Sequence, residues 1–136
     1  MALERDKKDR SYQYGRLLAV LEKMESDTYS STESRRETNA IRSQHMFVQR
    51  PQTGFAWIMD KLQQSYIKKL PEGSRIYYDK LIQEIVEVLS EIDEEANKPL
   101  TETYLMGYYL QKKDLYTRKS ESEDFANENT EENDVQ

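Results

Sequence analysis

The stretch Leu105 to Lys119, LMGYYLQKKDLYTRK, sets a glycine ahead of two tyrosines and closes on the basic cluster Lys112, Lys113, Arg118 and Lys119. Tyr104, Leu105, Tyr108, Tyr109 and Leu115 recur at helical spacing, and Thr101, just past the break Asn97-Lys98-Pro99, is placed to cap the helix they define. Glycine weakens a helix interior, so Gly107 is expected where this helix closely approaches another. Tyr108 and Tyr109 are expected to fill that joint, Tyr108 as a mainly structural residue, with the basic cluster just outside the core.

Four further helices are legible upstream. Tyr14, Leu17, Leu18, Leu21 and Met24 lie at i, i+3, i+4, i+7 and i+10, which puts them on one stripe of a helix from about Asp9 to Tyr29. Ser26 to Thr32, rich in residues whose side chains compete for backbone hydrogen bonds, reads as a loop. A second helix is expected from about Thr32 to Val48, carrying Ala40, Ile41, His45, Phe47 and Val48, with a polar first half. Pro51 ends that segment, and Phe55, Ile58, Met59, Leu62 and Tyr66 mark a third helix from about Thr53 to Leu70. After Pro71-Glu72-Gly73, Ser74 is a candidate cap for a fourth, whose stripe runs Tyr78, Leu81, Ile82, Ile85, Val88, Leu89 and Ile92.

No stretch alternates with period 2 and no internal repeat is visible. The expected fold is therefore all-α: a compact bundle of about five helices over residues 1–119, followed by an acidic tail, 120–136, with the composition of a disordered segment. The chain of 136 residues has a mean hydropathy of −0.99 and is 34% charged, yet its ten tyrosines, three phenylalanines and one tryptophan suit a folded body.

Charge is unevenly placed. The tail holds seven acidic residues and no basic one, which leaves residues 1–119 at +1 within a total of −6. Residues 1–75 carry 14 Lys or Arg against 10 Asp or Glu, whereas 76–101 carry 2 against 7. A basic side and an acidic side are expected. The start of the chain has no apolar signal-like run, and no run reaches the roughly 18 residues a membrane helix needs. A soluble, cytoplasmic protein without membrane contact is the expectation.

Catalytic chemistry finds little purchase. With no cysteine, thiolate metal sites, disulfides and cysteine nucleophiles are excluded. His45 is the single histidine and, beside Met46 and Phe47, reads as packed or hydrogen-bonded rather than catalytic. No phosphate loop, GxSxG elbow or HExxH pair occurs. The expectation is no enzyme, no catalytic or metal-ligating residue and no cofactor.

The basic residues are the more informative set. Lys61 and Lys68 are seven apart on one side of the third helix, beside Lys69; Arg35, Arg36 and Arg42 extend that surface along the second, with Arg50 at its end. With Lys112 and Lys113 they form a candidate nucleic-acid-binding set, suited to phosphate contacts that carry no sequence information. An ordinary solvated face has the same composition. Tyr12, Tyr14, Tyr29, Tyr77 and Tyr116 fall near helix ends, where a tyrosine caps a core or stacks on a base. Glu84, Glu87 and Glu91 lie at i, i+3 and i+7 away from the fourth helix's core stripe, as a solvated face or a contact for a protein partner.

Three motifs in order, YGRLLAVLEK at Tyr14 to Lys23, Phe55 to Leu70 with its Pro51 entry, and LMGYYLQ at Leu105 to Gln111, resemble the C-terminal region of the large subunit of the CRISPR type I-C Cascade complex. In that family an internal start codon also yields this region as a separate small subunit, and a chain opening Met1-Ala2-Leu3 just ahead of GRLLAVLE is what such a product looks like. The resemblance spans roughly residues 10–115. It implies a non-catalytic helical subunit, present in more than one copy along the crRNA-bearing backbone. Its partners would be the backbone and large subunits, further copies of itself, and target DNA whose displaced strand it helps to hold; in a different CRISPR effector, too, guide pairing reads the sequence and protein cations hold that strand. A helical adaptor that never touches nucleic acid remains the alternative.

Overall fold

The computed structural model describes residues 2–29, 32 and 36–117. Regular structure among them is entirely helical: α1 (Arg10–Ser26), α2 (Asn39–Arg42), α3 (Gln44–Gln49), α4 (Pro51–Ser65), a 3-10 turn (Ile67–Lys69), α5 (Glu72–Ser90) and α6 (103–117). The acidic tail, Arg118 and Lys119 lie outside the described residues. None of the described helices is long and apolar enough to cross a membrane.

Helix α1 starts where Asp9, in extended backbone, accepts the Tyr12 N–H at 3.0 Å, a side-chain cap on a free helical donor. The expected apolar stripe of α1 is all buried, but so is every other residue from Arg10 to Leu21. Helices α2, α4 and α5 pack around α1 and α6 crosses it, so α1 is the axle of the fold and has no solvent face along most of its length.

The α1–α6 crossing is made backbone to backbone. A Cβ added to Gly15 would lie 1.9 Å from the Tyr104 carbonyl oxygen, and one added to Gly107 would lie 1.9 Å from the Tyr12 carbonyl oxygen. Each glycine thus sits against the residue three positions before the other glycine, a reciprocal contact that any side chain would prevent. Tyr108 is buried at this joint, 6% exposed, as expected. Tyr109 is 63% exposed and does not fill it: one residue further round the helix, it turns outward and meets only the edge of the Tyr108 ring.

A polar cluster is buried beside the glycine joint. Arg16, fully buried, donates from Nε to Gln111 Oε1 at 2.8 Å and from Nη1 to Gln13 Oε1 at 2.8 Å and the Arg5 carbonyl at 2.9 Å. Its Nη2 faces Glu84 at 3.8 Å. Gln13 in turn donates to the carbonyls of Arg5 and Lys7, while Arg5 bridges Glu84 at 3.3 Å and Asp114 at 3.5 Å. Burial lowers the Arg16 pKa and Glu84 works against that shift. These bonds tie the N-terminal segment, α1, α5 and α6 into one unit, while Arg16 Nη2 and Gln111 Nε2 are buried with no hydrogen-bond partner among the described residues.

The C-terminal end of α1 holds its neighbours through carboxylates. Glu22 accepts from the Tyr108 hydroxyl and pairs with Lys112 at 3.3 Å, which reaches α6. Asp27 accepts from the Tyr78 hydroxyl of α5 and pairs with Lys23. Glu25, 1% exposed, accepts from the Tyr29 hydroxyl and, at 3.0 Å, from the backbone and side-chain amides of Asn39.

That last contact explains the main departure from the expected second helix. Residues 36–38 are not helical; helix begins only at Asn39, where Thr38 caps Ile41 at 3.2 Å and the Glu25 carboxylate meets the positive end of α2. The expected helix is also split at Ser43 into α2 and α3. Gly54 then lets α4 fold back on α3, since a Cβ there would sit 2.7 Å from the Phe47 Cα. Pro51 is the first residue of α4, two before the expected start, where its missing N–H leaves no bond unmade. Asn97 accepts from Thr53 N at 3.1 Å and donates to the Thr53 hydroxyl at 3.0 Å, which pins the 91–100 connection to the start of α4.

The expected third helix ends as α4 at Ser65, with a 3-10 turn completing it. Helix α5 opens at Glu72, with Ser74 inside the helix, because the fixed dihedral of Pro71 sets the entry and Glu72 complements the helix dipole. Thr101 does not cap α6 with its side chain; its N–H donates to Ser11 Oγ at 2.9 Å and its hydroxyl pairs with Thr103.

Substituting Gly15→Ala or Gly107→Ala should force the helices apart and lower the free energy of unfolding in urea by at least about 3 kcal/mol. Gly73→Ala, where the added methyl meets nothing within 4 Å, should raise it by about 0.5 kcal/mol.

Alkaline pH offers a second test. Burial first, and then hydrogen bonding to a carboxylate, raise the pKa of Tyr29, Tyr78 and Tyr108 above the ordinary phenol value of about 10. The unfolded chain loses these protons first, so their contribution is intact below pH 10 and declines progressively above it. The urea midpoint followed by circular dichroism should fall steeply above about pH 10. The double variant Tyr78→Phe, Tyr108→Phe should start lower at neutral pH and fall less.

Candidate nucleic-acid interface

The fold sorts the cations into two groups. Arg5, Lys7, Lys8, Arg16, Lys23, Lys98 and Lys112 each form an ion pair within the chain, and Arg10 donates to the carbonyls of Ala96 and Lys98 at 2.8 Å. Arg36, Arg42, Arg50, Lys61, Lys68, Lys69 and Lys113 form none with any described carboxylate. All seven were read from the sequence as candidate nucleic-acid contacts. Lys61 is half-buried and the other six are exposed.

Four of them run along α4 and the turn that follows it. Arg50 immediately precedes the helix, and Lys61 lies eleven residues on, about three helical turns or ~16 Å along the axis. Trp57, at i+7 from Arg50 and i−4 from Lys61, shares that flank and is 39% exposed. The Lys61 ammonium lies 5.3 Å from the indole ring centre, within cation–π range. Lys68 and Lys69 follow in the 3-10 turn, with the Lys69 ammonium 5.7 Å from the Tyr66 ring. Tyr66 meets Tyr29 edge-on at 6.1 Å, and Tyr29 and Arg36 line the same 410 Å³ hollow between α1 and α2. Arg36 is thus near Tyr29 and Lys69 near Tyr66, the two members of one tyrosine pair.

Other expected members stand apart. Arg42 ends α2, and Lys113 projects from α6. Lys112 is engaged inside the chain by Glu22 and lies 5.4 Å from the Tyr108 ring centre. Arg35 falls outside the described residues. Of the acidic row, Glu84 pairs with Arg5 and faces Arg16, and Glu91 pairs with Lys8, so both hold the chain's own N-terminal segment; Glu87 is exposed and pairs with no described cation.

Trp57 was absent from the sequence reading, which followed apolar residues in phase with Ile58 and Leu62. Its signal was its phase: an indole on the polar flank of an amphipathic helix has no core to enter. Arg75 and Lys80 on α5, which pair with no described carboxylate, are hidden in the sequence for another reason, the acidic residues around them. Of the tyrosines near helix ends, Tyr12 and Tyr14 are buried and Tyr29 is tied to Glu25, whereas Tyr116 is 46% exposed with the Lys23 ammonium 5.0 Å from its ring.

The fold also relates two of the motifs on which the resemblance rests. YGRLLAVLEK and LMGYYLQ meet through Gly15 against the α6 backbone, Gly107 against the α1 backbone, and Arg16 bonded to Gln111. They are two halves of one joint.

No curated protein matches the chain. A family model described as CRISPR-associated protein (Cas_Csd1) matches residues 1–116. That match runs from the N-terminal segment through every residue of α6 but the last, Thr117, and on it the chain belongs to the CRISPR-associated Cas_Csd1 family, as a type I-C Cascade-associated protein.

Proposed function

We propose that the chain acts as a non-catalytic small subunit of a type I-C surveillance complex and stabilises the R-loop by sequence-independent contacts to the displaced DNA strand. The observation that carries this reading is the sorting of the cations. Pairing within the chain consumes those that hold the fold and leaves seven of the candidates on the surface with no described carboxylate to neutralise them. Unpaired lysine and arginine are the groups that exchange counterions for phosphates. Few such contacts per subunit give weak binding, which several copies aligned along one strand would strengthen through effective concentration.

The adaptor reading has its own supporting feature. Leu105, Met106, Tyr109 and Tyr116 are exposed along α6, a face suited to a protein neighbour such as the backbone subunit. The two surfaces lie on different helices, so their roles are separable.

Complexes assembled with Arg50→Glu, Lys61→Glu, Lys68→Glu and Lys69→Glu combined should retain the subunit but lose nuclease protection of the displaced strand. The slope of log affinity against log salt should become less steep by about 3, as four single-strand phosphate contacts require. Tyr109→Asp with Leu105→Asp should instead reduce incorporation of the subunit. Loss of strand protection in the second variant only, with the first unchanged, would favour the adaptor reading.

A further inference from the structure

We infer that Trp57 is a stacking platform for an unpaired base, so that the α4 flank binds single-stranded DNA through bases as well as phosphates. This rests on the proposed strand-holding role and specifies its ligand: a strand with exposed bases, where duplex would not serve.

Four observations converge on Trp57. Trp57 is 39% exposed, whereas Tyr12, Tyr14, Phe47, Tyr78 and Tyr108 are buried. Its neighbours along the flank are Arg50, Thr53, Asp60, Lys61 and Gln64, with no exposed aliphatic residue among them. A protein-docking tryptophan is ordinarily set among apolar neighbours, as Tyr109 is beside Leu105 and Met106 on α6. Neither Arg50 nor Lys61 is neutralised by a described carboxylate, so the flank's charge is complementary to a phosphate backbone. The acid on this flank, Asp60, at i+3 from Trp57, takes the Gln64 amide at 2.9 Å and forms no ion pair with Arg50 or Lys61, so the flank keeps a net positive charge.

The chemistry of the pair follows from its geometry. Every base presents a π-face, so stacking on an indole is indifferent to sequence, as a strand-holding surface requires. The Lys61 ammonium, 5.3 Å from the ring centre, is a compact charge on a flexible stem. It swings from the ring to the phosphate that a stacking nucleotide brings with it, while Arg50, ~16 Å away along the helix, meets a phosphate further along. Tyr66 is less suited to the same use, because its ring is half-buried and already meets Tyr29.

Trp57 is the only tryptophan of the chain, so its emission reports on this flank alone. The full chain would be titrated at low salt with an oligothymidylate, with an abasic oligonucleotide of equal length, and with duplex DNA. We expect the oligothymidylate to quench the emission and to bind Trp57→Ala about 10-fold more weakly than wild type, while Trp57→Phe stays within about 3-fold. The abasic strand should bind wild type and Trp57→Ala alike. Equal binding of oligothymidylate and abasic strand, with unchanged emission, overturns the stacking platform and leaves the phosphate contacts standing. Preference for duplex with unchanged emission overturns it as well, and binding of no strand at all overturns both it and the strand-holding role.

Discussion

Two helices of this protein touch where neither has a side chain. Gly15 and Gly107 bring the backbones of α1 and α6 together at a separation that would put an added methyl 1.9 Å from a carbonyl oxygen of the opposite helix. This crossing fixes the rest. It sets α6 across α1, buries Tyr108 against the Glu22 carboxylate, and brings Gln111 within 2.8 Å of Arg16. Burial of a guanidinium is unfavourable unless its donors are met, so the arginine in turn demands Gln13 and the Arg5 carbonyl. The N-terminal segment is held in place by that demand.

A helix encased in this way has no surface for function, and α1 contributes none. At its C-terminal end Glu22 is engaged with α6, Glu25 with the start of α2, and Lys23 with the capping Asp27, which in turn meets α5. What remains for partners is the outer layer, above all the flank of α4 with Arg50, Trp57 and Lys61, and the turn with Lys68 and Lys69. The division between cations that hold the fold and cations left on the surface is the physical basis of the proposed role. The outer face of α6, with Leu105, Met106 and Tyr109, is a second and chemically different surface. The proposed role would use both kinds, one for neighbouring subunits and one for the strand.

The sequence by itself determined the helical class, because apolar residues at 3- and 4-residue spacing are readable without any partner. The stripe from Tyr78 to Val88 is buried as read, Gly107 makes the close approach read for it, and the family is legible in GRLLAVLE and GYY-x-Q. The tertiary structure alone decided that Gly15 is the partner of Gly107, that α1 is buried on all sides, and that Glu25 delays α2 until Asn39. It also decided which cations are paired: Lys112 and Lys113 are adjacent and identical in sequence, yet one meets Glu22 and the other meets solvent. The reason is range. Periodicity is a property of residues a few positions apart, whereas the contacts of Arg16 with Gln111 and of Lys112 with Glu22 join residues 95 and 90 positions apart, which only the packed chain brings together.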